Sequence, residues 1–237
     1  MRYRVVIPAA GSGRRLASAI PKQYLEVAGR TVIEHALTPF LTDARCLEVV
    51  VVIAADDARW PVVERALADR RLRSVPGGAE RADSVWHGLA ALQPAIAADD
   101  WVLVHDAARP CLSVAELETL LHELAQHEAG GLLAVPLADT LKRAVGDSPW
   151  QSAKTVDRSG LWRALTPQMF RYALLRRALE EARAAGRTPT DEAQAIEWTG
   201  RVPQIVVGDV RNIKVTTAAD LELVAALLAA RSAAEPR

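Results

Sequence analysis

The chain has 237 residues, half of them hydrophobic, with 29 Lys+Arg balanced by 29 Asp+Glu. That length supports one substantial core, or a core with a small appendage. Zero net charge provides no global field to recruit nucleic acid or an anionic membrane, so phosphate binding has to come from local groups of cations. Only four of the 29 cations are lysines (Lys22, Lys142, Lys154 and Lys214). Ammonium and guanidinium are not interchangeable, so each lysine is a candidate for a specific task. Cys46 and Cys111 lie far apart without metal-ligand spacing, and a reduced pair is expected. No apolar run is long enough for a signal peptide or a membrane span, so the protein is expected to be soluble and cytoplasmic.

In chain order, the apolar strand Val5-Val6-Ile7 runs into Pro8-Ala9-Ala10-Gly11-Ser12-Gly13-Arg14-Arg15-Leu16, and Pro21-Lys22-Gln23-Tyr24-Leu25 follows. A loop of small residues lets backbone N–H groups approach an anion, and adjacent cations can neutralise phosphate. This stretch reads as a triphosphate loop, although a plain turn between strand and helix has the same outline. It is neither a dinucleotide fingerprint, since Leu16 stands at the third glycine position, nor a Walker loop, since GK[ST] is absent.

Thr31-Val32-Ile33-Glu34 forms a capping box for a helix toward Phe40. Leu47–Ile53 is a nearly continuous β-branched run, as in a strand buried on both faces. Helix over Asp57–Leu67, strand over Arg73–Pro76, turn at Gly77-Gly78 and helix over Arg81–Leu92 come next. Trp101–Asp106 is a strand ending in an acid. Ser113-Val114-Ala115-Glu116 caps a helix to about Glu128, ended by Gly130-Gly131, before a strand over Leu132–Pro136. This alternation predicts an α/β fold with a doubly wound, mostly parallel sheet and ligands at the carboxyl ends of its strands.

Residues 138–158 break the rhythm. Thr140–Val145 and Lys154–Asp157 read as polar strands joined by Gly146-Asp147-Ser148-Pro149. Such a ribbon has little to bury in its own domain; it is either an arm for the other subunit of a homodimer or a surface hairpin. Beyond Leu161–Gln168, a helix to Ala185, a helix from Thr190-Asp191-Glu192 to Gly200, strands Ile205–Val207 and Asn212–Val215, and a last helix capped by Thr217 complete the chain. One domain over 1–230, arm included, with a frayed tail over 231–237, is the expected organisation.

Asp106, at a strand's carboxyl end, has the chemistry to serve a nucleotide's magnesium, which takes one or two protein oxygens and keeps most of its waters. The Gly77–Ser84 turn could offer backbone groups to the edge of a base. Arg158, Thr166, Thr190 and Lys214 stand at element boundaries, where a second phosphorylated substrate would find its cations. His105 reads as a strand residue rather than a base.

Together PAAGSGRRL, PKQYL, GGAERADSV, VHDAARP, LTPQ, TDE and NIKVT resemble the 2-C-methyl-D-erythritol 4-phosphate cytidylyltransferases of the non-mevalonate isoprenoid pathway, from about Val5 to Leu228. The resemblance implies a Rossmann-like nucleotidyltransferase fold, a homodimer joined through the arm, and Mg²⁺-dependent transfer of CMP from CTP to methylerythritol phosphate. It implies that Arg15 and Lys22 stabilise the transition state, and that Arg158, from the partner subunit, and Lys214 hold the acceptor. Ala10, Gly11, Ser12, Gly13, Gly78, Ala79, Ser84 and Asp106 would contact the nucleotide, with Arg109, Thr166 and Thr190 near the second substrate. Ala79 stands where some relatives carry an acid, so only a backbone contact carries over there. Two rivals remain at this point: a cytidylyltransferase for another polyol phosphate such as ribitol 5-phosphate, and a non-catalytic nucleotide-binding module.

Overall fold

The structure, a computed structural model, describes residues 1–11 and 20–234. Strand β1 (Tyr3–Pro8) leads into the glycine-containing loop, whose residues 12–19 lie outside the described ones. A 3-10 turn at Lys22–Tyr24 and the short antiparallel pair β2 (Glu26–Val27) and β3 (Arg30–Thr31) follow. The predicted capping box opens α1 (Val32–Leu41): Thr31 Oγ1 accepts from Glu34 N, and the Glu34 carboxylate accepts from Thr31 N at 2.7 Å.

Next come β4 (Cys46–Ile53), α2 (Trp60–Leu67), β5 (Leu72–Pro76), α3 (Arg81–Ala91) and β6 (Trp101–Val104). Helix α4 (Val114–Leu124) precedes β7 (Gly130–Pro136), and the hairpin β8 (Leu141–Val145) and β9 (Gln151–Val156) projects after it. The chain ends with β10 (Trp162–Arg171), α5 (Tyr172–Ala184), α6 (Glu192–Glu197), β11 (Gln204–Val207) and α7 (Ala218–Ala234).

Seven strands form one sheet in the order β11-β7-β10-β6-β1-β4-β5, parallel except for β10, which is antiparallel to both β6 and β7. The run Val49–Val52 explains the two-sided burial. Val49 and Val51 pack with Val5, Ile7, Phe40 and Trp60, whereas Val50 and Val52 pack with Val6, Val85 and Leu89 on the other face. A smaller cluster of Val27, Val32, Val215, Val224 and Leu228 seats α7.

Several boundaries depart from the sequence reading. Gly130 and Gly131 do not cap α4, which ends at Leu124. They start β7, where a Cβ on Gly131 would lie 2.1 Å from the Gln204 carbonyl oxygen. Helix α2 begins at Trp60 rather than Asp57, because the Asp57 carboxylate accepts from the N–H groups of Arg59 and Trp60 ahead of the helix. Strand β10 carries no alternating pattern and contains Pro167, which argues against a central strand. The pairing of β10 with β7 is interrupted between Ala164 and Gln168, and that interruption accommodates the proline. The expected strand over Asn212–Val215 is absent; that segment is irregular and held by side chains. Helix α7 continues to Ala234, where fraying was expected from residue 231. Among the described residues, no helix is long and apolar enough to cross a membrane.

Candidate active site

The carboxyl ends of β1, β5 and β6 face one cleft, with about 690 Å³ of empty volume. Ala10 and Gly11, Lys22, Gly78 and Ala79, Ser84, Asp106 and Lys214 all line it, so eight of the residues singled out in the sequence converge. Ser12, Gly13 and Arg15 lie outside the described residues.

The first wall is built by the start of the glycine-containing loop. Ala9 N donates to Val52 O at 2.7 Å, and the buried Gln23 amide donates to Ala9 O at 2.8 Å, fixing the chain where it leaves β1. Lys22, one residue earlier, donates from Nζ to the Val215 carbonyl at 3.0 Å. The second wall is the turn before α3. Gly77 N donates to Ile53 O, Gly78 N donates to Ser84 Oγ at 3.2 Å, and that hydroxyl donates to Glu80 O. A Cβ at Gly77 would come within 2.5 Å of Ala10 Cβ and 2.8 Å of Ser84 Oγ, so the two walls meet only because this residue is glycine.

Asp106 is the electrostatic centre. Its Oδ2 accepts from Lys214 Nζ at 2.7 Å and lies 3.5 Å from Arg109 Nε, while Oδ1 accepts from Arg81 Nε at 3.1 Å. Burial pushes the Asp106 carboxyl upward, but the charges of Arg81 and Lys214 outweigh it and hold the group well below the usual carboxylate range. Arg81 is itself clamped by Glu192 at the start of α6, through Nη1 at 2.6 Å and Nη2 at 3.0 Å. Among the described residues lining the cleft, the three cations Lys22, Arg81 and Lys214 stand against the two acids Glu80 and Asp106, leaving positive charge in excess for an anionic ligand.

Arg81 and Glu192 were not singled out from the sequence as site residues. Each lay inside a noted motif, GGAERADS and TDE, and the missing signal was their contact across 111 positions. Four other expected site residues do not line the cleft. Arg109 is buried, bonding Asn212 O through Nη1 at 2.7 Å. Thr166 is buried where β10 is interrupted; its Oγ1 accepts from Asp106 N at 3.1 Å and contacts His105 Nδ1 at 2.9 Å. Thr190 is exposed, with its N–H donating to Gln194 Oε1. Arg158 is exposed beyond β9 at the base of the hairpin.

His105 is fully buried with both ring nitrogens partnered, Nε2 with Arg109 O and Nδ1 with Thr166; burial pulls its pKa down to about 4. It is a neutral, hydrogen-bonded residue just beyond the end of β6, whereas the sequence reading placed it inside the strand. Both cysteines are buried and unpaired, with burial pushing Cys46 up to about 12 and Cys111 up to about 11.

The sequence model of the IspD family, described as 2-C-methyl-D-erythritol 4-phosphate cytidylyltransferase, matches residues 3–230. The proteins of that name from Pseudomonas putida and Pseudomonas entomophila are 55% and 53% identical over 221 residues, 93% of this chain and of each relative. A crystal structure of 4-diphosphocytidyl-2C-methyl-D-erythritol synthase superposes with a TM-score of 0.82 at 41% identity, covering 96% of this chain and 98% of that one. The Francisella tularensis cytidylyltransferase structure gives 0.81 at 31% identity, covering 96% and 100%. With a family match across nearly its whole length and a cleft that gathers that family's motifs, the chain belongs to the 2-C-methyl-D-erythritol 4-phosphate cytidylyltransferase family.

Proposed function

We propose that the protein transfers CMP from CTP to 2-C-methyl-D-erythritol 4-phosphate, giving 4-diphosphocytidyl-2-C-methyl-D-erythritol and pyrophosphate in isoprenoid precursor biosynthesis. The observation that carries this reading is the cleft of a chain in this family, where a small-residue loop start, Lys22, Lys214 and Asp106 converge.

The chemistry needs no general base, because a phosphate monoester oxygen is already nucleophilic at neutral pH. That oxygen attacks the α-phosphorus of CTP, the new P–O bond forms, and the bond to the bridging oxygen of the leaving pyrophosphate breaks in line. The task of the protein is to bring two polyanions together and stabilise the charge that spreads at the α-phosphorus. We assign that charge to Lys22 and Arg15, and the acceptor phosphate to Lys214 and to Arg158 of a second copy. Gly78, Ala79 and Ser84 are assigned to the cytosine side, while Ala10, Gly11, Ser12 and Gly13 are assigned to the phosphates. Arg109, Thr166 and Thr190 are assigned to the acceptor region, with Arg109 and Thr166 acting through Asp106 and its neighbours.

A divalent cation is part of the proposal. Among the described residues no group of three or more His, Cys, Asp and Glu is placed to hold a metal. A cation carried by the triphosphate asks less, one or two protein oxygens. The two Asp106 oxygens have about four lone-pair sites. Two are taken by hydrogen bonds from Lys214 and Arg81, while Arg109 Nε, 3.5 Å away, pairs by charge alone, which leaves room for a further contact. Bound there, Mg²⁺ would neutralise phosphate charge.

The dimer is supported by the hairpin. Among the described residues, β8 and β9 pair with each other and with no other strand, and Val145, Trp150, Leu161 and Trp162 are exposed on or beside them, Trp150 by 70%. An aromatic so placed suits a second copy of the chain. The two reduced thiols suit the cytoplasm.

Pyrophosphate release with CTP and Mg²⁺, measured with methylerythritol phosphate and with ribitol 5-phosphate as alternative acceptors, tests the reading. Turnover with the first and little with the second is expected. No release with methylerythritol phosphate would overturn the proposal.

A further inference from the structure

The segment that carries Lys214 has no regular structure: from Gly208 to Thr217 there is neither helix nor strand. Backbone polar groups in such a segment need partners from outside it. Val215 N donates to Ala108 O, and Asn212 O accepts from Arg109 Nη1. The Val215 carbonyl accepts from Lys22 Nζ, and a further anchor is a carboxylate from another element, Glu116 at the third position of α4.

Among the described residues there are two Ser/Thr–Glu capping boxes of the same chemistry, and they differ in one respect. In α1, Glu34 uses only Oε2, accepting from Thr31 N at 2.7 Å and Thr31 Oγ1 at 2.6 Å. In α4, Glu116 Oε2 does the same work, accepting from Ser113 N at 3.1 Å and Ser113 Oγ at 3.0 Å. Its Oε1, however, reaches out of the helix to accept from Asp209 N at 2.9 Å and Asn212 Nδ2 at 3.4 Å. Glu116 is buried, and Asn212 is fully buried, with Nδ2 also donating to Thr166 O at 2.9 Å. Two residues beyond Asn212, Lys214 reaches Asp106.

We propose that Glu116 is a positioning residue for Lys214: it caps α4 through one oxygen and, through the other, fixes the Asp209–Asn212 turn from which Lys214 extends into the cleft. The proposal rests on the reading of Lys214 as an acceptor-binding cation. A carboxylate can serve both sets of donors at once because each of its oxygens accepts more than one hydrogen bond. A glutamine of the same size cannot, because its amide nitrogen would face either the Ser113 donors or the Asp209 and Asn212 donors.

Steady-state kinetics of the full chain test this. Glu116→Gln is expected to raise KM for methylerythritol phosphate about tenfold while KM for CTP stays within about twofold. In a Lys214→Ala background the same substitution should add less than about twofold, since what it displaces is already gone. Glu34→Gln is the matched control: a glutamine can still complete a capping box, so it should change the melting temperature little and leave both KM values unchanged. If Glu116→Gln behaves like Glu34→Gln, or if its full effect persists without Lys214, the proposal is overturned while the acceptor reading stands. If Lys214→Ala itself leaves KM for methylerythritol phosphate unchanged, the acceptor reading fails and the proposal with it. Should Glu116→Gln fail to fold, Asn212→Ala, which leaves the cap intact, is put through the same cycle with the same expected outcome.

Discussion

Glu192→Gln probes the least visible part of the site. Glu192 is 1% exposed by side chain and accepts two hydrogen bonds from Arg81, whose Nε in turn holds Asp106. Removing one partner of a buried ion pair costs about 3–5 kcal/mol, because the other charge is left unpaired. Arg81 keeps 29% exposure and retains Asp106, so the low end applies, about 3 kcal/mol. For a domain of this size each kcal/mol shifts Tm by about 2–4 °C, which gives a fall of about 6–12 °C. Thermal melts followed by circular dichroism, with urea midpoints in parallel, read this directly. The double substitution Arg81→Met with Glu192→Leu removes both ions and should recover most of the loss, since apolar replacement of a buried pair is often neutral or stabilising. The double variant should nevertheless keep a raised KM for CTP, because Arg81 lines the cleft and orients Asp106. A Tm for Glu192→Gln within about 2 °C of the parent would refute the stability argument. A double variant as unstable as the single one would show that the unpaired charge is not the cause.

Lys22→Ala and Arg15→Ala should each lower kcat about a hundredfold or more, as loss of a preorganised donor does; near-normal kcat in either removes that residue from the mechanism. Lys214→Ala should impair use of methylerythritol phosphate with CTP binding mostly intact, and isothermal titration with CTP checks the second half. His105 has a folded pKa of about 4 against an ordinary 6.5, so the unfolded chain binds the extra proton first as pH falls. Its contribution is complete above about pH 6.5 and is lost toward pH 4, by about 3 kcal/mol, so urea unfolding of the parent should fall with pH more steeply than that of His105→Gln. Gly88→Ala places a Cβ 2.4 Å from Val6 Cγ1 and 2.9 Å from Val52 Cγ2 where α3 packs on β1 and β4. Overpacking of this kind costs about 1–3 kcal/mol, and an unchanged urea midpoint would contradict it.

What sequence reading reached depends on how local the cause is. The capping boxes at Thr31 and Ser113 are set by residues three apart, and both form as read. The buried parallel strands are written in unbroken β-branched runs such as Val49–Ile53. The hairpin is legible because its polar residues have nothing to bury, and β8 pairs with β9 as expected. Strand β10 was missed because its place between β6 and β7 is decided by neighbours distant in sequence, and Pro167 disguises it. The irregular Asn212–Val215 segment misled for the opposite reason: Ile213 and Val215 look like strand residues, yet they pack against Val27, Val224 and Leu228 beneath α7. Arg81 and Glu192 were passed over because a charge pair 111 positions apart leaves no local mark.

The two lysines assigned to chemistry come from opposite ends of the chain, and one residue ties them together. Val215 donates its N–H to Ala108 O beside Asp106, and its carbonyl accepts from Lys22 Nζ, a contact spanning 193 positions. Lys214, the preceding residue, is bound to Asp106. The cation assigned to the transition state and the cation assigned to the acceptor are therefore referenced to the same short stretch of backbone rather than to separate elements. Catalysis by positioning depends on such shared reference, because displacement of a reacting group by about 1 Å can cost a hundredfold in rate. The irregular conformation of Asn212–Val215 then has a physical reason. On this path consecutive residues serve both cations: the Lys214 ammonium lines the cleft, and the Val215 carbonyl holds the ammonium of Lys22, which lines it too.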